Sequence, residues 1–287
     1  MPHIAIMGTG MVGGALARSF ERDRIPVGLY DPPKGLANPD VLARADAIFI
    51  AVPTPYYLDG PGFDDTFLRA AMDAIPVAGK TVVLKSTIVP GTTERFQALY
   101  PEHRVLFNPE FLTETTADYD MLHPKRQIVG YTPQSRCDAE LVMGLLPRAP
   151  FEKIIPAKDA ELVKYFGNAF YALKVAYANQ IFDLCERMGV DYDTVKACGV
   201  AEPMMVGDPR NTHLEIFHKG YRGYGGKCLP KDTRSLIQLG KACGIDLSVL
   251  RMAEEYNNAL VARQGLDVRW TEGSPVKDAP DLRSLAP

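Results

Sequence analysis

Short apolar runs alternate with amphipathic stretches over the first half of the chain. The apolar runs are continuous and too short for helices, which is typical of strands buried on both faces of a parallel sheet. Apolar residues at helical spacing lie between them. The alternation predicts an α/β fold with a doubly wound parallel sheet. Strands are predicted at 3–7, 27–30, 46–52, 81–84, 105–107, 127–130 and 153–155, and helices after Gly13, at 67–75 and at 139–146.

The pattern changes near Pro156, where a long helical stretch without proline begins and runs to Gly189. Helices are also predicted at 191–199, 232–243 and 248–261, with an irregular segment at 202–219. The last residues hold three prolines and few apolar side chains, which favours a flexible tail. We therefore expect a nucleotide-binding domain over 1–156, a helical domain over 157–265 and a tail over 266–287.

Composition narrows the class of protein. The chain has 287 residues, 46% apolar and 23% charged, with a net charge of −3, so it carries no basic footprint for nucleic acid. Its five cysteines are odd in number and irregularly spaced, which argues against a disulfide framework and favours a reducing cytoplasm. Glycines interrupt the apolar N-terminus, and no apolar run approaches the roughly 20 residues that span a membrane. No metal site is expected.

The first predicted strand leads into a Gly-Thr-Gly-Met-Val-Gly turn, which a helix follows. Strand, GxGxxG, helix, second strand and then Asp31 form the order of a dinucleotide-binding unit. Asp31 is placed to bind the adenosine ribose hydroxyls and to repel a 2′-phosphate, which favours NAD over NADP; Lys34 argues weakly the other way. The expected cofactor contacts here are Gly8, Gly10, Met11, Val12, Gly13 and Asp31.

Polar residues follow three further predicted strands. Thr54 and Thr87 lie just past strand ends, where ligands of such sheets collect, although a turn residue or helix cap explains each equally well. Glu110 and Glu114 are four residues apart in the next loop. They could act as a base beside a nucleotide, or be solvated surface acids.

Glu161, Lys164 and Asn168 share one face of the long helix. A lysine and an asparagine there could bind an oxyanion or a sugar hydroxyl. Spacing alone favours an ordinary polar stripe.

Residues 220–232 read GYRGYGGKCLPKD and end in one cysteine just ahead of a predicted helix. Pro230 suits a first helical turn. A helix N-terminus together with Lys227 and Lys231 would lower the pKa of the Cys228 thiol and make a thiolate available. The alternative is a glycine-rich loop with a chance cysteine.

Five blocks in this order resemble the UDP-glucose/GDP-mannose 6-dehydrogenases: GTGMVGG, KSTIVPGTT, NPEFLTE, AELVKYFGNAF and GYGGKCLPKD. The resemblance implies a Rossmann-like domain followed by an all-helical 6-phosphogluconate-dehydrogenase-like domain. It also implies a nucleotide-sugar substrate, most similar to UDP-glucose, whose C6 alcohol is oxidised twice with NAD for polysaccharide biosynthesis. Members usually carry a third domain that binds the nucleoside diphosphate, and the resemblance covers the first two.

The resemblance also implies roles for individual residues. Cys228 looks like the nucleophile, Lys164 and Asn168 the oxyanion pair, Glu110 with Thr87 the base that acts through a water, and Asp232 the acid that positions lysine and water. Further cofactor contacts would be Thr54, Thr87, Glu114 and Lys231. Substrate contacts would be Phe111, Leu112, Lys164, Asn168, Arg222, Tyr224 and Gly225.

Two local departures from the family concern the substrate pocket. Tyr221 and Arg222 replace the usual Gly-Phe, and Thr113 stands where arginine is common. Arg222 could bind a phosphate or carboxylate.

Two other functions remain open: a single-step dehydrogenase related to 6-phosphogluconate or 3-hydroxyacid enzymes, and a non-catalytic NAD-binding protein. A homodimer is expected from the resemblance. The helix at 248–261 would otherwise expose Leu250, Ala253 and Leu260.

Overall fold

The computed structural model describes residues 2–202, 213–218, 220–226 and 228–266. Backbone contacts divide the chain into two compact units. The first holds the chain up to Pro55 and residues 63–164; the second holds residues 56–62 and the described chain after Lys164. This division falls inside one long helix, and the predicted domain limits stay a prediction. Apart from Leu266, the predicted tail lies outside the described residues.

The predicted strands of the first half are confirmed, each within two residues of its predicted ends. In chain order the strands are β1 (Ile4–Met7), β2 (Val27–Tyr30), β3 (Ala47–Ile50), β4 (Tyr56–Tyr57), β5 (Gly62–Phe63), β6 (Thr81–Leu84), β7 (Arg104–Phe107), β8 (Gln127–Tyr131) and β9 (Glu152–Pro156). The structure thus adds two short strands that were not predicted, β4 and β5. All but the short β4 and β5 form one seven-stranded sheet in the order β2-β1-β3-β6-β7-β8-β9.

One pairing departs from a wholly parallel sheet. β7 and β8 run antiparallel, with Phe107 opposite Gly130, whereas the other five neighbouring pairs are parallel. The connection between them returns the chain to the sheet from the end at which β7 finishes, so it makes no crossover. An antiparallel pair in an otherwise parallel sheet is common in α/β folds.

Helices cover both faces of this sheet. They are α1 (Met11–Arg22), α2 (Asp40–Arg44), α3 (Thr66–Asp73), α4 (Thr92–Leu99), α5 (Ala117–Leu122) and α6 (Ala139–Leu145). Within β3, Ile48 belongs to a buried cluster with Leu68 of α3, and Phe49 to a second cluster with Leu16 of α1. Burial on both faces explains why the strands are continuous apolar runs. The pattern did not predict α2, α4 or α5.

The second unit is mainly helical, as predicted. α7 (Ala157–Met188) begins in the first unit and continues into the second, followed by α8 (Tyr192–Val200), β10 (Phe217–His218), β11 (Tyr221–Arg222), α9 (Leu229–Ala242) and α10 (Ser248–Arg263). The β10–β11 hairpin is an addition to the all-helical prediction. No helix in the described part of the chain has the length and apolarity needed to cross a bilayer.

Glu161 of α7 is fully buried and caps the start of α4. Its carboxylate accepts hydrogen bonds from the N–H of Gly91 (2.5 Å), the N–H of Thr93 (2.7 Å) and the hydroxyl of Thr93 (2.6 Å). Burial raises the pKa of Glu161 to about 7, although all three donors favour the ionised form. The side chain thus satisfies amides that the start of α4 would otherwise leave unpaired.

Glu161→Ala should lower the free energy of unfolding by roughly 2 kcal/mol or more, because three donors, two of them buried, lose their acceptor. Glu94→Ala is the control: Glu94 lies in the first turn of α4, half exposed, and pairs with Lys158 at the surface. It should cost less than about 1 kcal/mol. Urea denaturation measures both, and equal losses would contradict the capping role.

Candidate functional site

The glycine turn between β1 and α1 leaves open space at the helix N-terminus. Gly8 has φ +83°, and a Cβ there would lie 2.6 Å from the carbonyl oxygen of Ala51. A Cβ on Gly13 would lie 1.9 Å from the Gly8 carbonyl oxygen. A Cβ on Gly10, the N-cap of α1, would meet no atom within 4 Å. The protein itself requires the first and third glycines, and the second borders a cradle that suits a pyrophosphate.

Asp31 follows β2, and its carboxylate can accept a hydrogen bond from a hydroxyl group. Its Oδ2 accepts from the N–H (2.8 Å) and the hydroxyl (2.7 Å) of Thr9. Partial burial would raise the pKa of Asp31, but the Thr9 hydrogen bonds and the nearby Lys34 ammonium lower it below the usual value. Within the described chain no hydrogen bond reaches Oδ1. The carboxylate is therefore ionised with one oxygen open to a ribose hydroxyl, and these residues fit NAD.

Thr54 has a structural role at the same edge of the sheet. Its hydroxyl donates to the carbonyl oxygen of Thr87 at 2.7 Å and so joins the segments that follow β3 and β6. The Thr87 side chain is half-buried. Of the other predicted contacts, Met11 is exposed and Val12 half-buried in the first turn of α1.

Glu110 and Lys164 form a buried ion pair. Lys164 Nζ lies 2.8 Å from Glu110 Oε1, with side-chain exposures of 6% and 9%. Glu110 Oε2 accepts the N–H of Leu112 at 2.7 Å. Burial alone would raise the pKa of Glu110, but the Lys164 ammonium and these hydrogen bonds lower it overall. Glu110 is therefore an ionised carboxylate at neutral pH. It is not a solvated surface acid, and Lys164 does not lie in a solvated polar stripe.

The other residues of this loop lie partly at the surface and partly against the core. Glu114 is exposed at the start of a short 3-10 turn, so the two acids of the loop have different environments. The Phe111 ring is covered by the Arg126 guanidinium at 3.8 Å from its centroid. Leu112 packs against the core on the α1 side of the sheet.

In the second unit, Cys228 directly precedes α9, and Pro230 lies in its first turn, as predicted. Cys228 is exposed. Asp232 is buried; its Oδ2 accepts from Asn168 Nδ2 at 2.5 Å, and its Oδ1 lies 2.7 Å from Lys231 Nζ. The charge of Lys231 is thus directed to Asp232, while Lys227 lies outside the described residues. Asn168, Lys231 and Asp232 form one polar cluster.

Two predicted substrate contacts make contacts within the fold. The Tyr224 ring is buried, its hydroxyl donates to Glu254 Oε2 at 2.7 Å, and burial beside that acid raises its pKa. Arg222 donates to Asp183 (2.6 Å) and Asn179 (3.2 Å) of α7. Gly225 is half-buried. Substrate roles for all three stay predictions.

A cavity of about 410 Å³ lies in the second unit, among residues 56–62, α9 and α10. Its lining includes the buried ion pair between Arg234 and Glu254, 2.5 Å apart. None of the predicted site residues lines it. Among the described residues, no group of acidic, histidine or cysteine side chains is arranged to hold a metal ion.

Sequence reasoning missed Lys85, which is buried directly after β6 with its Nζ 2.5 Å from Asn108 Oδ1. The available signal was its place: a lysine that immediately follows a wholly apolar strand has little access to solvent unless the chain turns outward.

Two family models match the chain. The NAD binding domain of the UDP-glucose/GDP-mannose dehydrogenase family matches residues 37–143, and the central domain of that family matches residues 158–259. The chain belongs to the UDP-glucose/GDP-mannose dehydrogenase family. Its first unit therefore contains the NAD-binding domain of the family, in agreement with the fit of the glycine turn and Asp31.

Relatives of this chain align with it over part of their own length. The UDP-glucose 6-dehydrogenase YwqF of Bacillus subtilis is 36% identical over 76% of this chain and 49% of its own length. TuaD of the same organism, also a UDP-glucose 6-dehydrogenase, is 30% identical over 90% of this chain and 63% of its own. The chain thus spans between about half and two thirds of the length of these relatives.

Solved structures confirm the predicted fold. A UDP-glucose dehydrogenase from Pyrobaculum islandicum superposes with a TM-score of 0.76 at 28% identity, covering 92% of this chain and 72% of that one. A 3-hydroxyisobutyrate dehydrogenase from Mycobacterium tuberculosis gives a TM-score of 0.70 at 17% identity and covers 94% of this chain and 98% of that one. The second likeness concerns the fold alone.

Gly10→Ala and Gly13→Ala should separate cofactor binding from folding. Gly10→Ala should leave the Tm nearly unchanged but weaken NAD binding about tenfold or more, because its methyl group enters the cradle. Gly13→Ala should lower the Tm markedly through its clash with the Gly8 carbonyl. Thermal denaturation and calorimetric titration with NAD measure the two effects. Unchanged NAD affinity in Gly10→Ala would contradict this placement of the cofactor.

Proposed function

We propose that this protein is an NAD-dependent nucleotide-sugar dehydrogenase that oxidises the C6 alcohol of a UDP-glucose-like substrate to the uronic acid. Family membership supports the reaction class. The observation that carries the mechanism is an exposed cysteine at the start of α9, whose first turn also contributes Lys231 and Asp232 to the cluster with Asn168. All five cysteines are free thiols. We therefore include a reducing, cytoplasmic setting in this proposal.

The residues that would hold NAD are the glycine turn and Asp31, with further contacts at Thr54, Thr87, Glu114 and Lys231. When bound, NAD supplies the acceptor for one hydride in each of the two oxidations. The ionised Asp31 disfavours a cofactor with a 2′-phosphate.

Cys228 acts on the aldehyde that the first oxidation leaves. Its thiolate forms a bond to the aldehyde carbon, and the carbonyl electron pair moves onto the oxygen. Lys164 and Asn168 stabilise that oxyanion. Loss of a hydride from the same carbon then converts the thiohemiacetal into a thioester.

Glu110 serves the hydrolysis of this thioester. Its carboxylate, ionised at neutral pH, takes a proton from a water that Thr87 helps to place. The water oxygen bonds to the carbonyl carbon, the carbon–sulfur bond breaks and the Cys228 thiolate leaves. Overall, the alcohol and one water yield a carboxylate, two hydrides and three protons. Asp232 orients Asn168 and Lys231, and Phe111, Leu112, Arg222, Tyr224 and Gly225 are the proposed substrate contacts.

Cys228→Ser should separate the two oxidations. Wild type should release two NADH per UDP-glucose, whereas Cys228→Ser should stop at or before the aldehyde, with acid formation reduced by about a thousandfold or more. Cys243→Ser is the control, since that exposed cysteine caps the other end of α9. NADH absorbance and product mass measure both steps.

Three other outcomes would overturn parts of this proposal. Acid formation at the wild-type rate in Cys228→Ser would remove Cys228 as nucleophile. One NADH per substrate in wild type would favour the single-step dehydrogenase. NAD binding without turnover on a panel of UDP- and GDP-sugars would favour the non-catalytic protein.

We further propose a homodimer, on a different surface from the predicted one. On α10, Leu260 is buried and Leu250 and Ala253 are half-buried, so these three are not exposed, contrary to the prediction. The larger apolar surface is a stripe on α7 whose members are 50–74% exposed and recur every four or seven residues, which places them on one helical face. The α7 stripe consists of Phe166, Phe170, Tyr177, Leu184 and Met188.

Leu184→Glu should shift the protein from dimer to monomer, because a charge in the middle of an apolar contact loses its hydration. Phe151→Glu is the control, an equally exposed apolar residue in the first unit. Sedimentation velocity gives the mass, and circular dichroism checks folding. A monomeric wild type, or a dimer that tolerates Leu184→Glu, would contradict the proposal.

A further inference from the structure

Lys85 is a buried cation that the proposed mechanism does not use. Its side chain is 3% exposed, and its ammonium donates to Asn108 Oδ1 at 2.5 Å. Asn108 is fixed in turn, because its Nδ2 donates to the carbonyl oxygen of Ile128 (2.7 Å) and to Gln127 Oε1 (3.2 Å). A lysine ammonium has three donors, and among the described residues the Lys85 ammonium makes this one hydrogen bond.

Keeping this charge in the core is unfavourable. Burial lowers the pKa of Lys85 to about 8; Glu110 offsets part of that effect, and Lys164 adds to it. Between pH 8 and the unfolded value of 10.5, the unfolded chain keeps a proton that the folded chain has lost, so stability rises with pH in that window. At neutral pH the charged lysine therefore destabilises the fold, which is a frequent property of functional groups.

The charges around Lys85 do not balance. Lys85 is hydrogen-bonded to Asn108, two residues before Glu110, and among the described residues Glu110 and Lys164 are the charged groups that act on it. Two ammonium groups thus share one carboxylate, and the cluster has one positive charge in excess. Such an excess suits an anion that arrives or forms during a reaction.

The second cation also matters for Glu110. Lys164 Nζ is paired with Glu110 at 2.8 Å, yet the proposed reaction assigns Lys164 to the oxyanion. Once Lys164 is shared with that oxyanion, the buried Glu110 loses much of the interaction that opposes its desolvation. A carboxylate in that position would take up a proton and cease to be a base, unless another cation remained beside it.

We propose that Lys85 is a positioning residue whose buried ammonium keeps Glu110 ionised while Lys164 serves the oxyanion. It acts through Glu110 and Asn108 rather than on the substrate. The oxyanion step rests on the proposed function, whereas the electrostatic effect on Glu110 does not.

The first test measures Glu110 directly in the full chain. Carboxyl ¹³C NMR titration, with the Glu110 signal assigned by Glu110→Gln, should show a higher Glu110 pKa in Lys85→Met than in wild type. In Lys85→Met/Lys164→Met the pKa should rise above that of either single variant, because each ammonium separately favours the ionised form of Glu110. If the double variant does not fold, Lys85→Met alone decides: an unchanged Glu110 pKa overturns the proposal.

Lys80→Met is the matched control. Lys80 flanks the other end of β6, where its Nζ donates to the carbonyl oxygens of Ala43 and Ala45. It should leave the Glu110 titration unchanged. An equal change of the Glu110 pKa in both variants would mean that any lost lysine disturbs the sheet, and would overturn a specific role of Lys85.

The second test uses the pH profile of acid formation from UDP-glucose. In Lys85→Met the rising limb of kcat should move to higher pH while KM stays unchanged. At a pH below both limbs, the rate should fall about tenfold for every pH unit that separates the limb of the variant from that of wild type. Lys85→Arg should restore the limb in part.

Two results of this second test would contradict either the role of Lys85 or the proposed function. A uniform loss at every pH would indicate a merely structural role and overturn the proposal. If wild type oxidises no nucleotide sugar, the proposed function fails, while the NMR titration still decides the role of Lys85.

Discussion

The buried ion pair between Lys164 and Glu110 is the interaction on which the polar cluster of the first unit depends. Each partner is more than nine-tenths buried, so loss of either would leave an uncompensated charge in the core. The pair does more than cancel charge. Because Glu110 also accepts the N–H of Leu112, the loop after β7 is fixed relative to the start of α7. That constraint explains why an ionised carboxylate can persist where burial alone would protonate it.

The same helix carries two other buried polar residues at related spacing. Glu161 lies three residues before Lys164 and caps α4, and Asn168 lies four residues after it and binds Asp232. From the pattern alone this face is an ordinary polar stripe in water. In the structure each member is at least nine-tenths buried and has its own specific partner. Spacing alone therefore does not decide whether a polar stripe on a core-facing helix is solvated or buried. The presence of hydrogen-bonding or oppositely charged partners elsewhere in the chain decides it.

A feature could be predicted from the sequence when the residues that determine it lie close together along the chain. The glycine turn was predictable because its constraints are local. Gly8 has a positive φ, and a Cβ on residue 13 would clash with the carbonyl oxygen of Gly8. The position of Cys228 before a helix was predictable from Pro230 and the apolar spacing. The reversed direction of β8, the burial of Lys85 and the inward face of α10 depend on contacts between distant residues. Pattern and propensity do not contain that information.

The two residues that depart from the family ahead of Gly223 illustrate the same point. The sequence predicts that Tyr221 and Arg222 change a substrate pocket, yet Tyr221 is buried and Arg222 is bound to α7 through Asn179 and Asp183. The guanidinium also covers the Phe182 ring at 4.7 Å, and Gln264 binds the backbone N–H and carbonyl oxygen of Arg222. Contacts within the second unit therefore fix the Arg222 side chain, and Tyr221 is buried in the fold. A sequence change beside a family motif is evidence about the substrate only where contacts within the fold do not already explain it.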